Sequence, residues 1–440
     1  MKRKLWLGVL IFALVLTAWN AGLLADSARA RSDGHGKVQN VIFMIGDGFS
    51  AAYATNYRLY KGDQPTLFDQ TLSGMIRTAS ADNAVTDSAA AATAMATGVK
   101  TNNDMVGMAP DGKKLKTILE AAKESGKSTG LVSTSSVTHA TPASFAAKVP
   151  DRDDEVAIAP QMLGKPDVLL GGGKQFFLPE SEGGKQPERN LIEEARAQGY
   201  QVLENRDQLL KAKGNKLLGL FAEEGMAPEL DRDKSKEPSL AEMTRTAIDT
   251  LKKNKKGFFL MVEGSQIDWG GHDNDAAWAM KDTEAFEQAI KVAMDFAKRD
   301  GRTLVVVTGD HDTGGMSVGG YNEYKNRAEI LRHVTATGQY MAEQIDEKGS
   351  NIREVLKKYA KIDLTDEEVE QIRNASNRKL AINHVVSKRA YIGWTSTAHT
   401  GVNLPVYAYG KGSDLFRGWM DNTDLPKRMA QAMKIEFKQK

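Results

Sequence analysis

Short apolar runs alternate along this chain with longer amphipathic stretches. Three runs, at residues 41–45, 258–262 and 304–308, are rich in β-branched and aromatic side chains. Such continuous runs are typical of strands that are buried on both faces of a sheet. Helical spacing occurs between them, most clearly at residues 191–197 and 276–298. The alternation predicts an α/β fold, a three-layer sandwich with a largely parallel central sheet and helices on both faces.

The same reading assigns the remaining elements. Further strands are predicted at residues 129–134, 168–170 and 404–409, and further helices at residues 115–125, 241–251 and 425–435. Between His311 and His399 the chain is rich in charged residues, with helical patterns at 328–345, 352–359 and 366–374. We therefore expect a crown-like helical insertion at residues 321–390 that folds over the functional site.

The first thirty residues have a composition of their own. Lys2-Arg3-Lys4 precedes an apolar run from Leu5 to Trp19, and small residues follow up to Ala28-Arg29-Ala30. This is the layout of a secretory signal peptide with an A-x-A cleavage site. An uncleaved anchor is the alternative, since apolar character continues to Leu24 and about 20 residues span a bilayer. We expect residues 1–30 to be cleaved and residues 31–440 to form an exported catalytic domain without a stable membrane span.

Composition narrows the possible functions. The chain is 41% hydrophobic and 26% charged, which is ordinary for a globular protein. Removing residues 1–30 takes away four basic residues and one acid, so the formal net charge changes from +2 to −1. Specific nucleic-acid binding is therefore not expected. Because the chain has no cysteine, it forms no disulfide, and any zinc ligand must be His, Asp or Glu.

Acids and histidines stand directly after all three apolar runs. These segments are Gly46-Asp47-Gly48 after the first run, Glu263 and Asp268-x3-His272 after the second, and Asp310-His311 after the third. In an open α/β sheet, ligand sites form beyond the carboxyl ends of parallel strands, so we expect the segments to converge. Three of the seven histidines, His272, His311 and His399, lie in compact segments beside acids or small residues. The pattern predicts a metal centre.

A serine opens an alanine-rich helical stretch at Asp87-Ser88-Ala89-Ala90. The N-terminus of a helix offers free N–H groups to an anion. Taken alone, Ser88 has the features of a helix cap, as most such serines do. The neighbouring metal-type segments favour a nucleophile instead, because a serine hydroxyl needs a base or a metal to lose its proton.

Together and in this order, the segments resemble those of the bacterial alkaline phosphatases. The nucleophile segment of that family is similar to Asp87-Ser88-Ala89-Ala90, Thr93-Ala94 and Gly98-Val99-Lys100-Thr101. The metal-site segments are similar to Thr141-Pro142-Ala143, Val262-Glu263-Gly264, Asp268-x3-His272, Asp310-His311 and His399-Thr400-Gly401. Any one of these matches is weak, whereas the ordered set is highly specific.

The resemblance implies a phosphate monoester hydrolase of broad specificity that acts at alkaline pH through a phosphoserine at Ser88. It implies small phosphomonoester substrates, a homodimer, two zinc ions and one magnesium ion that another divalent ion could replace. The implied ligands are Asp268, His272 and His399 for one zinc, Asp47, Asp310 and His311 for the other, and Asp47, Thr141 and Glu263 for magnesium. Arg152 stands where the family binds phosphate, and Asp87, beside the nucleophile, is counted with it among the substrate-binding residues. From its charged surroundings alone, Arg152 would be read as a solvated arginine.

Two residues depart from the best-known family pattern. His139 stands near the magnesium position where some members carry aspartate, and Trp269 stands where those members carry lysine. Histidine favours zinc or a water-mediated contact over direct magnesium ligation, so the identity of the third metal stays open. We count His139 among the candidate metal ligands and both residues among those near the substrate. Without the lysine, weaker retention of phosphate is expected.

Two other functions remain open from the sequence. One is a phosphodiesterase built on the same metal scaffold. The other is a non-catalytic exported protein that binds metal or phosphate, which would have no use for Ser88. A sulfatase is disfavoured because Ser88-Ala89-Ala90-Ala91-Ala92 lacks the proline and arginine of the sulfatase C/S-x-P-x-R segment.

Overall fold

The computed structural model describes residues 38–439, so the predicted signal peptide lies outside the described residues. The strands are β1 (Asn40–Gly46), β2 (Leu72–Arg77), β3 (Ser128–Ser136), β4 (Val168–Gly172), β5 (Gln201–Leu203), β6 (Leu217–Leu220), β7 (Phe258–Gly264), β8 (Thr303–Gly309), β9 (Asp312–Thr313), β10 (His399–Thr400), β11 (Leu404–Gly410) and β12 (Gly418–Asp421).

Helices connect most of these strands. They are α1 (Ala51–Tyr60), α2 (Leu67–Thr71), α3 (Ser88–Thr97), α4 (Ile118–Glu124), α5 (Ala140–Ala143), α6 (Glu155–Met162), α7 (Leu191–Ala197), α8 (Arg206–Leu210), α9 (Leu240–Leu251), α10 (Gln266–His272), α11 (Ala276–Asp300), α12 (Gly338–Glu343), α13 (Ile352–Tyr359), α14 (Asp366–Arg373), α15 (Arg378–Arg389) and α16 (Asp424–Met433). Short 3₁₀ helices occur at Lys174–Phe176, Glu180–Glu182, Ala328–His333 and Ser413–Phe416. No helix within residues 38–439 has the length and apolar content that crossing a bilayer requires.

One large sheet of ten strands forms the centre of the molecule. Its order is β12-β2-β11-β8-β1-β7-β3-β4-β6-β5. Strand β1 pairs in parallel with both β7 and β8, and within this sheet only β11 runs antiparallel to its neighbours β2 and β8. The prediction of a largely parallel central sheet is confirmed.

Both faces of the sheet are buried. Successive side chains of a strand point to opposite faces, and in β1 Ile42 and Met44 join one apolar core while Val41, Phe43 and Ile45 join another. Helices α9 and α11 contribute apolar side chains to the first core, and α4 and α16 contribute to the second. Helices therefore cover both faces, as the continuous apolar runs predicted.

Most of the predicted elements form, with shifted ends. The helix predicted at 276–298 is α11, and the strand predicted at 129–134 extends over β3. The helical pattern at 328–345 divides into the 3₁₀ helix Ala328–His333 and the separate helix α12. A new cap causes the break, since Thr337 Oγ1 accepts a hydrogen bond from Tyr340 N and starts α12 there.

Several elements without a clear sequence signal were not predicted, among them β2, α1 and α15. Strand β2 has one buried residue, Ile76, and it depends on its pairing with β11 and β12. Its Gly74 lies so close to the neighbouring backbone that an added Cβ would stand 2.4 Å from the Gly418 carbonyl oxygen. Such a strand is specified by its neighbours more than by its own residues.

The region between β9 and β10 contains helices α12 to α15. Helix α15 attaches this region to the loop that follows α10. Asn383 Nδ2 donates to the Asp273 carbonyl oxygen at 2.8 Å, and Lys379 Nζ lies 2.7 Å from Asp273 Oδ1. Since α10 ends at His272, the insertion packs directly beside a predicted metal ligand.

Asp275 joins the long helix α11 to this insertion. Its Oδ1 caps α11 by accepting hydrogen bonds from Ala277 N at 3.1 Å and Trp278 N at 3.0 Å, and its Oδ2 accepts one from Gly338 N at 2.8 Å. Asp275 is 3% exposed, so these N–H groups have no easy replacement partner in water.

We predict that Asp275→Ala lowers the free energy of unfolding by about 2–4 kcal/mol, because it removes a cap and leaves buried N–H groups without acceptors. Asp275→Asn keeps one oxygen acceptor and is expected to lose about half as much. Urea unfolding followed by circular dichroism measures both. Asp295→Ala, which removes an exposed acid from the same helix, is the control. Equal stabilities of Asp275→Ala and Asp295→Ala would contradict the prediction.

Candidate functional site

The carboxyl ends of three adjacent central strands carry the predicted acids. Asp47 follows β1, Glu263 is the penultimate residue of β7, and Asp310 and His311 follow β8. The register pairs Gly46 of β1 with both Gly264 and Gly309, so the three strands end at one level. The acids therefore reach the same space above the sheet edge.

The turn after β1 depends on Gly48. Its φ of 70° lies in the left-handed region, and an added Cβ would stand 2.7 Å from Thr313 Oγ1 and 2.9 Å from the Asp268 Cα. The Gly48 N–H donates to Asp310 Oδ1 at 3.0 Å. A glycine here lets two other parts of the site approach the backbone closely.

Asp47, Asp310 and His311 lie together at the centre of the site. Their ligand atoms lie within 4.8 Å of one another, and His311 Nε2 is 3.3 Å from both Asp47 Oδ1 and Asp310 Oδ2. Both carboxylate oxygens of Asp47 and the Oδ2 of Asp310 are buried and accept no hydrogen bond. Buried polar atoms in folded proteins nearly always have partners, so this arrangement fits a bound cation.

A second group forms where α10 meets β10. Helix α10 places Asp268 and His272 four residues apart on one face, with His272 Nε2 3.3 Å from Asp268 Oδ2. His399 Nε2 lies 3.1 Å from His272 Nε2 and 3.6 Å from Asp268 Oδ1. The ring of His399 also stacks on that of His311, with centroids 3.6 Å apart. The residues of the two implied zinc sites are therefore direct neighbours.

A third group lies on the other side of Asp47. Ligand atoms of Asp47, His139 and Glu263 lie within 4.8 Å of one another. The Oγ1 of Thr141, the Oε1 of Glu263 and the Nδ1 of His139 are buried without hydrogen-bond partners. The structure thus brings His139 to the same place as the residues implied for magnesium.

Burial of several acids in one space changes their proton affinity. Burial and the charge of Asp310 raise the pKa of Asp47 well above its ordinary range. Burial likewise raises the pKa of Asp310 to about 8 and that of Glu263 to about 7. Without a cation these acids hold protons near neutral pH, and a divalent cation would displace them.

The group around Asp268 behaves differently because it contains histidines. Burial alone would raise the pKa of Asp268, but the hydrogen bond from His272 and the nearby imidazoles lower it. Burial would lower the pKa of His272, but Asp268 outweighs burial and raises it to about 8.

In the third group, burial and then the charge of Arg152 lower the pKa of His139 to about 3. A neutral imidazole is the form that binds a metal. Carboxylates and imidazoles without thiolates fit zinc and magnesium.

Ser88 is the first residue of α3 and is 2% exposed. The cap of this helix is Asp87, whose Oδ1 accepts a hydrogen bond from Ala90 N at 2.9 Å. The interpretation of Ser88 as the cap is therefore wrong. Its Oγ instead lies 3.0 Å from His311 Nε2, beside the buried carboxylates.

Arg152 is held beside Ser88 by Asp87. Its Nη1 donates to Asp87 Oδ2 at 3.0 Å, and its Nη2 lies 3.2 Å from His139 Nε2. The Arg152 side chain is 18% exposed, so the interpretation as a solvated arginine is also wrong. Asp87 further accepts a hydrogen bond from Asp104 N at 3.1 Å, which orients the carboxylate that holds the arginine.

Trp269 lies at the edge of the third group. Its ring meets that of His139 edge to face, with centroids 6.0 Å apart and planes at 88°. On its other side it packs so closely on Gly225 that an added Cβ there would stand 2.4 Å from the indole ring. The indole therefore stands next to His139, on the outer side of the predicted magnesium residues.

Two residues that orient the site were not predicted. Thr313 Oγ1 donates to Asp268 Oδ1 and lies 3.3 Å from His311 Nδ1. Glu155 Oε2 accepts hydrogen bonds from Ser136 Oγ at 2.6 Å and Thr138 Oγ1 at 2.5 Å, on the segment that leads to His139. The position of Thr313, two residues after the candidate ligand His311, could have indicated its role. Glu155 lies in a run of charged residues, and nothing in the sequence distinguishes it from exposed acids.

Comparison with known proteins assigns the family. The alkaline phosphatase family model matches residues 38–435. Alkaline phosphatase 4 of Bacillus subtilis is 45% identical over 421 residues, which are 91% of this chain and 89% of that protein. The crystal structure of a cold-active alkaline phosphatase from Shewanella superposes with a TM-score of 0.83 and 36% identity, over 90% of this chain and 99% of that chain. A variant of the alkaline phosphatase from the Antarctic bacterium TAB5, with magnesium bound in its M3 site, has a TM-score of 0.69 and 29% identity, over 91% of this chain and 99% of that chain.

We predict that Asp47→Asn stabilises the protein after removal of divalent cations, by about 1–3 kcal/mol at pH 8, because an amide bears neither the cost of burying a carboxylate nor that of keeping it protonated above the pKa of an unfolded carboxyl. The same change should abolish most of the stabilisation that zinc produces. Thermal unfolding in EDTA and in excess zinc measures both effects. Asp295→Asn on the surface is the control and should change neither. A metal-free Asp47→Asn protein that is less stable than the wild type would contradict the prediction.

The stabilisation by zinc is also expected to depend on pH. In the folded metal-free protein, Asp310 and Glu263 keep their protons up to pH values of about 8 and about 7, whereas unfolded carboxyls lose them near pH 4. The contribution of these two acids to metal-free stability therefore falls as pH rises from about 4 to about 8. Zinc should thus raise the melting temperature more at pH 8 than at pH 5.5. An equal rise at both pH values would count against these carboxylates as ligands.

Proposed function

Because this chain belongs to the alkaline phosphatase family, and is therefore a phosphatase, we propose that it hydrolyses phosphate monoesters of broad structure at alkaline pH with Ser88 as nucleophile. The position of Ser88 Oγ, 3.0 Å from His311 Nε2 and beside a buried carboxylate cluster, carries this proposal. A serine used only to start a helix would not need this position, since Asp87 already provides the cap.

The proposal includes two zinc ions and one magnesium ion. One zinc is assigned to Asp268, His272 and His399, the other to Asp47, Asp310 and His311, and magnesium to Asp47, Thr141 and Glu263. The buried oxygens without partners in these sets support the assignment. His139 adjoins the third set, so another divalent ion can replace magnesium there. When bound, the ions supply Lewis acidity to phosphate oxygens and lower the pKa of an attached hydroxyl or water.

The reaction proceeds in two displacements at phosphorus. The Ser88 Oγ forms a bond to phosphorus while the bond from phosphorus to the leaving oxygen breaks. The proton that Ser88 loses passes through solvent to the leaving oxygen, which departs as an alcohol. Water then attacks the phosphoserine, releases inorganic phosphate and restores the Ser88 hydroxyl. Splitting hydrolysis into two easier steps is the general advantage of covalent catalysis.

Arg152 and the start of α3 bind the phosphate. A guanidinium group can donate two parallel hydrogen bonds to two non-bridging oxygens. Asp87 holds Arg152 in place before the substrate arrives, so less conformational freedom is lost on binding. The free N–H groups at the N-terminus of α3 add to the attraction for an anion. Since these contacts involve only the phosphoryl group, many leaving groups are accepted.

A phosphodiesterase on the same scaffold is the second candidate. Parallel assays with p-nitrophenyl phosphate and bis-p-nitrophenyl phosphate distinguish the two, and we expect the monoester to be hydrolysed faster. A non-catalytic binding protein would leave both substrates intact.

Export and dimerisation complete the proposal. The composition of residues 1–30 supports export with cleavage after Ala30, and the family resemblance supports a homodimer. N-terminal sequencing of the protein from its host tests the cleavage. Light scattering measures the molecular mass in solution and so tests the homodimer.

We predict that Ser88→Ala reduces monoester turnover at least about a thousandfold, because the covalent step is lost. The wild-type protein, mixed with labelled phosphate monoester and quenched in acid, should retain label, and Ser88→Ala should not. The matched control is Ser144→Ala, which removes another buried hydroxyl that contacts α3 at the Ala89 carbonyl oxygen. Alkaline turnover that persists in Ser88→Ala would exclude the phosphoserine mechanism.

We predict that Trp269→Lys strengthens inhibition by inorganic phosphate several-fold, because it places a cation beside His139 and the bound phosphate. The inhibition constant for phosphate measures the effect. Trp269→Phe controls for the loss of packing on Gly225 and should not strengthen inhibition. Unchanged inhibition in Trp269→Lys would show that this position does not determine phosphate retention.

A further inference from the structure

The helical insertion carries a half-open cavity of about 340 Å³, and none of the catalytic residues lines it. Its walls are the 3₁₀ helix Ala328–His333 with its flanking residues, the segment 360–363 after α13, and the last turns of α15. The volume lies at the small end of the range of about 300–1,000 Å³ that ligand pockets span. A small organic molecule therefore fits it better than a polymer.

The floor of this cavity is apolar. Val334 and Val386 are 5% and 3% exposed, and Ala360 is also buried. Ile330 and Ile362 are partly buried and pack against the same core. These five side chains come from three segments of the insertion and offer no polar group, so the floor suits the apolar body of a ligand.

The rim of the cavity is positively charged. Four basic residues and one acid line it, namely Arg327, His333, Lys361, Arg389 and Asp363. The single acid is outnumbered by Arg327, Lys361 and Arg389, and its Oδ2 lies 2.6 Å from the Nζ of Lys357, which is not part of the lining. Arg389 is similarly occupied by Glu368, at 2.6 Å from Nη2 to Oε2.

Lys361 and Arg327 remain available to an anion. Among the ion pairs of the described chain none includes Lys361, whose Nζ donates only to the Lys358 carbonyl oxygen at 2.6 Å. Arg327 Nε lies 3.6 Å from Glu329 Oε1, and both side chains are exposed, so this pair is weak. Two cations thus stand at the rim of an apolar floor without strong partners.

Lys361 occupies a backbone position that glycine fills more easily. Its φ of 61° lies in the left-handed region directly after α13. Glycine or asparagine adopts this conformation more easily and is usual at the end of a helix. A lysine at this position accepts a local cost and places a cation at the rim.

We propose that this cavity binds an amphipathic organic anion, with its apolar body on the floor around Val334 and Val386 and its acidic head at Lys361 and Arg327. The ligand class is a carboxylate or sulfonate with a small aliphatic or aromatic body. Charge complementarity and the dry floor select this class over a neutral lipid or a second copy of the chain.

The test uses 1-anilinonaphthalene-8-sulfonate, a fluorescent aromatic sulfonate, with the zinc-loaded full-length protein. We expect saturable binding with one site per chain assigned to the cavity. Inorganic phosphate at a concentration that just saturates the catalytic site should displace little of the dye, because phosphate lacks the apolar body that the floor binds. The neutral analogue N-phenyl-1-naphthylamine should bind at least about tenfold more weakly, since it lacks the charge that the rim binds.

Variants assign the binding to the cavity. Lys361→Gly keeps the left-handed backbone and removes the cation, and Arg327→Gln removes the other. Each should weaken dye binding about tenfold, the effect of losing one charge-assisted contact. Val386→Phe should fill the cavity and abolish the fluorescence of the dye bound there. The control Lys388→Gln removes an exposed cation of α15 that lies outside the lining and should have no effect.

Three results would overturn the inference. They are the absence of saturable binding, displacement of the dye by phosphate, and unchanged affinity in Lys361→Gly and Arg327→Gln. A lower molecular mass of Val386→Phe in light scattering would show that the cavity is a contact between two chains. That result would also overturn the inference. Monoester turnover serves as the folding control, because all four variants lie outside the catalytic residues and should retain it within about twofold. The outcome of the dye experiment is thus independent of the phosphoserine mechanism.

Discussion

The burial of several carboxylates in one space at the carboxyl ends of β1, β7 and β8 is the constraint on which the rest of the structure depends. Asp47, Glu263 and Asp310 have oxygens that neither water nor a hydrogen-bond donor reaches. Charges of one sign in such surroundings repel each other strongly. A parallel sheet with both faces covered can hold them there because its hydrophobic core offsets the cost. The donor set is then ready for cations, with little rearrangement needed on binding.

Asp87 connects Ser88 and Arg152, the two residues proposed to act on phosphate. One oxygen caps α3 and so fixes the helix that begins with Ser88, while the other accepts hydrogen bonds from Arg152 and from Asp104 N. The proposed nucleophile and the proposed phosphate-binding arginine are therefore oriented by a single carboxylate. Arg152 also contacts His139, which belongs to the third group of metal-type residues. Because these residues contact one another, substitutions at two of them should have effects on turnover that are not additive.

The helical insertion contacts this site and also carries a cavity of its own. Its helix α15 binds the two residues that directly follow His272. Lys379 forms an ion pair with Asp273, Asn383 donates a hydrogen bond to the Asp273 carbonyl oxygen, and the Ser387 hydroxyl donates one to the Asn274 carbonyl oxygen. This helix thereby supports one of the implied zinc ligands from outside. The insertion also carries the half-open cavity with the cationic rim. One helix thus borders both features, since Val386 and Arg389 lie on α15 as well.

Much of this protein was determined by its sequence alone. Continuous apolar runs predicted β1, β7 and β8, because strands buried on both faces need apolar residues at every position. The acids after those runs, with the order of the motifs, indicated the family and the candidate ligands. Tertiary structure decided the rest. Only folding shows that Asp87 rather than Ser88 caps α3, that Arg152 is buried, and that Glu155 and Thr313 orient the site. Strand β2 and the cavity in the insertion likewise arise from contacts between distant segments. The physical reason is range: periodicity and capping act within a few residues, whereas Asp47 and Asp310 meet only because the sheet register brings together positions far apart in the chain.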